Sequence, residues 1–433
     1  MSTPSKSLFK VSLVAVSVAA ASSAYSAGFA LNDHSATASG KALAGVAASN
    51  EDISASFWNP ALFVNAKETT VFVSGAYVMP SMEADNISAN DGVFGGGASI
   101  SGSDSNNDSV DDSLVPSLYF AKPISDKTVA GISLNVPFGL SGDYGQDWVG
   151  RFHATETGIQ DIALSFALAH RVSAKLSVGA SVQLHQAEVV LESSVGSQNG
   201  GTEGIGRIEA DATGVGFSLG VMFEPVKGTR LGAGYRSEVD FDFEGDVVYD
   251  SGAQAVNAIF QNADVTDSIT FPSVLTLSVE HDLSNKVTLG LSAIRTGWGA
   301  MDGINIDFDS NQPNSVLTFG FEDQWMYSAG LTYAYSDKLT LRTGVAMDNS
   351  PVTDEYRSAR TPDGDRKWIS IGGTYDFNDM TSATFAFTHV MIDDVSVDRD
   401  FTASGQEDNG RGSLKADYAS SANVVSLAMN MAF

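Results

Sequence analysis

From Leu176 to His185 apolar residues take every second position: Leu176, Val178, Ala180, Val182 and Leu184 alternate with Ser177, Gly179, Ser181, Gln183 and His185. A period of two belongs to a strand with one greasy face and one polar or small face, and it is incompatible with a helix of period 3.6. The pattern recurs at Ile162, Leu164, Phe166 and Leu168, at Val215, Phe217, Leu219, Val221 and Phe223, and at Leu339, Leu341, Val345 and Met347. Along the whole chain it predicts fourteen strands, centred near residues 73, 119, 132, 165, 180, 218, 235, 277, 291, 330, 343, 371, 386 and 429. Past the first residues no uncharged apolar run reaches the roughly 18 residues of a membrane helix. A chain of this kind enters a membrane only as strands.

Short and long connections alternate between these strands. Ser125-Asp126-Lys127, Val172-Ser173-Ala174, Leu283-Ser284-Asn285 and Ser336-Asp337-Lys338 are short, whereas residues 78–115, 137–158, 189–211, 242–272, 299–323, 349–365 and 391–423 form long connections. An even strand count with tight turns on one side and long loops on the other describes an outer-membrane barrel. Closing the sheet removes the unpaired edges that hydrocarbon does not tolerate. A large soluble β-protein such as a propeller is the competing fold, and it accounts for neither the alternating connections nor the chain's ending. That ending, Val425, Leu427, Met429, Met431 and Phe433 alternating with Ser426, Ala428, Asn430 and Ala432, is a strand that stops on an aromatic residue. It resembles the signal read by the outer-membrane barrel-assembly machinery.

The amino end carries Lys6 and Lys10, an apolar run from Val11 to Ala21, and small residues at Ala24 and Ser26. This predicts a signal peptide over 1–26, cleaved before Ala27. Charge and composition exclude other classes. With 52 acidic residues against 24 basic and a net charge of -28, a nucleic-acid partner is not expected. With no Cys, neither a thiolate metal site nor a disulfide framework can form. Gly216-Phe217-Ser218-Leu219-Gly220 fits a nucleophile-elbow pattern, but it lies inside an alternating strand rather than at a strand-to-helix turn. Asp104, Asn106 and Asp108 begin a calcium-loop spacing that Ser109 and Val115 break. The six His are scattered, so no enzyme, cofactor or metal site is expected.

Residues 27–67 lack clean alternation and hold Phe57-Trp58-Asn59-Pro60-Ala61 ahead of the first strand. A fourteen-stranded barrel encloses a lumen too wide for side chains alone to fill, so this segment is expected to fold inward as a plug. The expected organisation is therefore a signal peptide over 1–26, a plug over 27–67 and an all-β transmembrane antiparallel barrel over 68–433. Ala27-Gly28-Phe29-Ala30-Leu31-Asn32 followed by Asn59, Pro60 and Ala61 closely resembles the N-terminal hatch of FadL-type outer-membrane long-chain fatty acid transporters. Similar stretches spread over the chain, among them Pro137-Phe138-Gly139-Leu140, Trp148-Val149-Gly150-Arg151-Phe152, Tyr235-Arg236-Ser237-Glu238-Val239 and Pro362-Asp363-Gly364-Asp365-Arg366.

The resemblance implies a monomeric barrel in the bacterial outer membrane that takes up long-chain fatty acids or similar hydrophobic molecules without a chemical reaction. Ligand would collect in an apolar groove among the extracellular loops and pass to a buried pocket touched by the hatch. It would then leave sideways through a kink in the third strand. Pro137 could disturb that strand's pairing, or it could simply begin the following loop. Candidate wall residues are Phe29, Leu31, Phe138, Leu140, Trp148 and Phe152. Arg151 is the candidate cation for a carboxylate, because its fork can bind both oxygens; a local acid such as Asp147 is the competing partner. At the family's basic head-group positions this chain aligns Gln186 and Glu322, so those contacts do not carry over. Another cation replaces them, or the ligand is less acidic, such as an aromatic or alkane hydrocarbon. An adhesin-like structural barrel is the reading of a different class. Seven acids between Val78 and Val115 face no Lys or Arg, which suits divalent bridging to lipopolysaccharide at the outer surface.

Overall fold

The computed structural model describes residues 28–92, 96–106, 108–197, 202–256, 260–400, 408 and 410–433. The expected signal peptide lies outside the described residues. The strands are β1 (Thr70–Asn90), β2 (Ser113–Ser125), β3 (Thr128–Asp143), β4 (Glu156–Arg171), β5 (Leu176–Ser197), β6 (Thr202–Val226) and β7 (Thr229–Arg236). They continue with β8 (Val239–Tyr249), β9 (Ala263–Phe271), β10 (Val274–Asp282), β11 (Val287–Thr296), β12 (Gly303–Phe308) and β13 (Ser315–Thr318). The last are β14 (Gln324–Ala334), β15 (Leu339–Asp348), β16 (Arg366–Asn378), β17 (Thr381–Ile392), β18 (Val395–Arg399) and β19 (Ser413–Ala432). β8, β9 and β18 prolong β7, β10 and β17 outward, and β12 with β13 forms a loop hairpin, which leaves a wall of fourteen strands. The first and last strands pair antiparallel from Thr70↔Ala432 to Asn90↔Ser413, so the sheet closes on itself. Each expected strand centre falls on a separate wall strand.

The expected long connections 189–211 and 242–272 are instead largely strand. β5 and β6 stay paired out to Ser197↔Thr202, and β8 pairs β9 from Val239↔Phe271 to Val247↔Ala263. The physical reason is an inversion of the alternation. On β5, Val178, Val182 and Leu184 face outward while Ser177, Ser181, Gln183 and His185 are buried inside; beyond His185 the inward positions become Ala187, Val189 and Leu191, and Glu188 faces out. On β8, Phe241 and Phe243 point in while Asp240, Asp242 and Glu244 point out. Below the inversion the outer solvent is hydrocarbon. Above it the outer solvent is water, and the apolar face must turn to the lumen.

Residues 28–66 fill the lumen, and almost all are buried. Helix α1 (Ala36–Ser39) starts at Ser35, whose Oγ accepts from Ala38 N at 3.1 Å. Asn59 opens the 3-10 turn Pro60–Asn65: its Oδ1 accepts from Ala61 N at 3.0 Å, and its Nδ2 donates to Ala47 O at 2.7 Å and to Val221 O on β6 at 2.9 Å. The Asn59-Pro60-Ala61 motif thus joins two hatch segments to the wall. The wall receives the hatch backbone at glycines. A Cβ on Gly234 would stand 1.8 Å from Trp58 O, and one on Gly232 would stand 1.9 Å from Ala47 O. At the foot, Lys41 Nζ lies 2.8 Å from Glu51 and 2.6 Å from Glu280 of β10. Arg342 on β15 holds Glu51, and Arg230 on β7 reaches Glu280 at 3.1 Å. Each charge in this buried network has a partner, which is the condition for tolerating it there.

The carboxyl-terminal strand ends beside the first, with Phe433 N donating to Thr69 O at 2.9 Å and its ring exposed. Asn59→Ala removes three hydrogen bonds and leaves buried carbonyls unpaired, an expected loss of about 1–3 kcal/mol per orphaned group. Gly234→Val forbids the hatch's seat altogether. Both variants are expected to keep the heat-modifiable barrel while the hatch becomes a site of limited proteolysis, faster for Gly234→Val.

Candidate ligand-binding site

Directly above the inversion the inward residues form an aromatic cage. Phe29 of the hatch stands at its centre, 6.1 Å from Phe138 on β3, 5.7 Å from Phe271 on β9 and 4.7 Å from Trp298, all edge to face. Phe241 closes on Phe271 at 4.8 Å and Phe321 on Trp298 at 5.7 Å. Leu140 and Ile159 pack against the same cluster. An apolar cleft lined by Val189, Leu191, Ile208, Phe243, Ile269 and Ile304 continues outward from it between β5, β6, β9 and β12. Such walls offer a hydrocarbon chain dispersion and exclusion of water, and little that is polar.

Phe29 is held by its backbone. Ala30 bridges Phe138 as a one-residue antiparallel strand, with Leu31 N donating to Pro137 O at 2.8 Å and Gly139 N to Phe29 O at 2.8 Å. Gly28 N donates to Asp363 Oδ2 at 3.0 Å. Gly28 has a φ of +64°, and a Cβ there would meet the Trp298 ring at 2.7 Å, so only glycine fits. The partner segment is bent: the β3–β4 register shifts between Asn135 and Phe138, and β2–β3 pairing ends at Leu118↔Leu134 although β3 runs on to Asp143. Pro137 therefore sits inside the strand, at a bulge, rather than opening the next loop. Past Leu134 the wall has no β2–β3 ladder, and the N-terminal arm takes the backbone bonds on the lumen side.

The structure gathers Phe29, Phe138 and Leu140 of the expected residues and separates the others. Leu31 packs with Ala76, Val78, Val115, Val136 and Val424. Trp148 and Phe152 belong to the loop cap, where Trp148 stacks on Tyr144 at 4.3 Å and donates from Nε1 to Ala154 O at 2.8 Å. Arg151 forks onto Glu203 rather than Asp147: Nε bonds one oxygen and Nη2 the other at 3.0 Å, while Nη1 donates to Ser101 O and Trp148 O at 3.0 Å each. The guanidinium is thus engaged within the cap. Gln186 lies partly exposed on β5 and Glu322 is exposed in a loop. Ser218 sits mid-strand with its Oγ 2.6 Å from that of Ser181.

Residues missed from the sequence are Phe241, Phe271, Trp298 and Phe321, and below them a polar set. His185 Nδ1 donates a hydrogen bond to Asp161 and lies 3.0 Å from both of its oxygens. Arg236 lies over the Phe57 ring at 4.0 Å. In the hatch, burial pushes the His34 imidazole down to about 3 and the Asp33 carboxyl up to about 6. The signal that could have found Phe241 and Phe271 is the persistence of alternation with its polarity reversed.

Comparison with known proteins bears on this geometry. The family model described as outer membrane protein transport protein (OMPP1/FadL/TodX) matches residues 17–433. A long-chain fatty acid transport protein of Escherichia coli O6:H1 is 28% identical, covering 87% of this chain and 90% of its own. Outer membrane protein P1 of Haemophilus influenzae is 27% identical over 98% of this chain and 99% of its own. The crystal structure of a Pseudomonas aeruginosa FadL homologue superposes with a TM-score of 0.85 at 21% identity, covering 94% of this chain and all of that one. The Pseudomonas putida toluene transporter TodX gives 0.65 at 19% identity, with 88% and 94% covered. The chain belongs to the OMPP1/FadL/TodX family of outer-membrane proteins that transport hydrophobic compounds.

Proposed function

We propose that this protein carries long-chain fatty acids passively across the outer membrane, with the aromatic cage as their buried binding site and the N-terminal arm as its gate. The observation that supports this most is the position of Phe29. The arm occupies the cage with an aromatic side chain and bonds the wall through only two backbone hydrogen bonds at the bridge. An alkyl chain entering the cage gains roughly 0.8 kcal/mol per buried methylene, so about ten methylenes match the gross burial of several large side chains. It can therefore displace Phe29, and displacing Phe29 pulls the arm from β3. The bulged stretch of β3 then loses its lumen-side partner where β2 no longer pairs with it, and the ligand leaves sideways into the membrane. No bond in the ligand changes.

On this reading the outer cleft at Val189, Leu191 and Ile304 captures the chain, and Phe29, Phe138 and Leu140 meet it inside. Trp148, Arg151 and Phe152 serve instead to hold the loop cap. Phe433, exposed at the strand end, serves barrel assembly. Cells carrying the gene are expected to take up labelled oleate faster than cells lacking it. Unchanged oleate uptake with faster toluene uptake would replace the fatty acid with an aromatic hydrocarbon. If neither changes and purified protein binds neither, the barrel is structural.

The gate has its own test. Ala30 and Phe138 face each other as a non-hydrogen-bonded antiparallel pair, for which Cα atoms lie about 4.5 Å apart, within disulfide range. The chain has no Cys of its own. The double variant Ala30→Cys/Phe138→Cys is expected to stop uptake when oxidised and regain it on reduction. Equal uptake in both states would rule out the arm as the gate. Arg151→Ala is expected to weaken the binding of oleate and methyl oleate alike, through the loosened cap.

A further inference from the structure

The tight turns, which face the periplasm in a barrel of this kind, repeat one design. Ile124-Ser125-Asp126-Lys127, Val172-Ser173-Ala174-Lys175, Leu283-Ser284-Asn285-Lys286 and Tyr335-Ser336-Asp337-Lys338 each set out an apolar residue, a serine and, two places on, a lysine. The serine Oγ accepts from the lysine backbone N at 3.4, 3.2, 3.2 and 3.3 Å in turn, so the four lysines leave the barrel from equivalent positions. The apolar residue before each serine is between 49% and 59% exposed. It ends the outward row of its strand: Leu118 and Phe120 on β2 lead to Ile124, Leu277 and Val279 on β10 to Leu283, and Leu331 and Tyr333 on β14 to Tyr335.

A fifth turn carries Val226-Lys227, and Lys67 and Lys122 stand at the same end. Seven of the ten lysines after residue 26 therefore lie at this rim, in a chain whose net charge is -28. All seven are exposed, and among the described residues none of them is in an ion pair. The other three lysines have carboxylate partners: Lys41 in the hatch, Lys367 with Asp393 at 2.6 Å and Lys415 with Asp398 at 2.8 Å. Of the acids nearby, Glu224 accepts from Gly228 N at 2.9 Å, and Asp282 is held by Arg230 at 3.1 Å and Thr288 at 2.9 Å. Asp126, Asp337 and Asp379 sit in the turns too, but a carboxylate on a single methylene stays close to its own backbone. A four-carbon stem reaches over the apolar residue beside it.

We propose that this collar of lysines binds the anionic phospholipid headgroups of the inner leaflet of the membrane that the barrel spans. An ammonium beside the last lipid-facing apolar residue of its strand stands at the height of the phosphates, where the hydrocarbon ends. The tight turns follow one another round the whole wall, and five of the six carry a lysine, the exception being Asn378-Asp379-Met380. A partner seated on one flank would meet only some of them, whereas a lipid annulus meets them all. The opposite end of the wall turns Asp240, Asp242 and Glu244 outward, so an anionic surface is attracted at this end alone. The collar also fixes the depth at which the wall crosses the bilayer.

Purified protein in a neutral detergent tests this with phosphatidylglycerol and phosphatidylcholine of identical acyl chains, supplied in equal amounts, by measuring the lipid retained through gel filtration. The wild type is expected to retain phosphatidylglycerol over phosphatidylcholine at least about fivefold in low salt, the factor for one lysine near an anionic surface. The preference is expected to fall towards parity at about 0.5 M salt, where such contacts are screened. The variant Lys127→Gln/Lys175→Gln/Lys286→Gln/Lys338→Gln is expected to lose most of it, whereas Lys367→Gln/Lys415→Gln, at the other end of the wall, keeps it. Equal retention of the two lipids by the wild type, a preference that survives high salt, or one that the fourfold variant keeps would overturn the proposal. Heat-modifiable migration confirms that each variant is folded. Should the fourfold variant not assemble, Lys127→Gln/Lys175→Gln and Lys286→Gln/Lys338→Gln decide, each expected to lower the preference at least about twofold. Sedimentation with isolated peptidoglycan that depends on the same lysines, without any lipid preference, would give the collar to the cell wall and overturn the lipid assignment.

Discussion

The long β5–β6 ladder serves two outer solvents without a break, and the exchange of its two faces at the membrane surface, repeated where β8 prolongs β7, is the constraint from which the site follows. Within hydrocarbon the outward residues must be apolar, so the inward ones are free to be Ser, Gly, Gln or His. Above the surface the outward residues meet water, and β8 turns Asp240, Asp242 and Glu244 to it. Phe241 and Phe243 then have nowhere to go but inward. The cage is therefore not an insertion into the barrel. It is the apolar core that the protruding part of the barrel needs, placed by the same alternation that makes the wall.

The hatch converts that core into a site. Its body is immobilised by close backbone contact at wall glycines, by Asn59, and by the buried pairs of Lys41, Glu51, Glu280 and Arg342. Its first residues are bound far more weakly, through the bridge at Ala30 and the bond from Gly28 to Asp363. Stability is thus unevenly shared between body and arm, and the part with the fewest bonds is the part that blocks the cage. The bulge at Pro137 adds a wall segment that lacks its β2 ladder at the same height.

Much of this was legible in the sequence. Alternation at Leu176–Leu184 and its repeats located every wall strand, and the low regularity of residues 27–67 marked the plug. The Asn59-Pro60-Ala61 motif pointed to the hatch without revealing that Asn59 Nδ2 bridges Ala47 and Val221, a contact between segments far apart in the chain. The loops were misjudged where the alternation reverses, because acids such as Asp242, Glu244 and Glu209 read as loop when they are the wet face of a strand. Arg151 failed as a head-group candidate for a related reason: only the fold brings Glu203 to it. His185 and Asp161 are separated by a strand turn, and their meeting depends on a register that single-chain periodicity does not fix.

The central claim is that an alkyl chain lies in the cage in place of Phe29, and tryptophan quenching tests it most directly. Five Trp are present, of which Trp298 lines the cage. A fatty acid brominated at mid-chain quenches only an indole it touches. The account expects such an acid to quench the wild type and to lose most of that quenching in Trp298→Phe at saturating ligand. Undiminished quenching in Trp298→Phe would contradict it and put the chain elsewhere in the barrel.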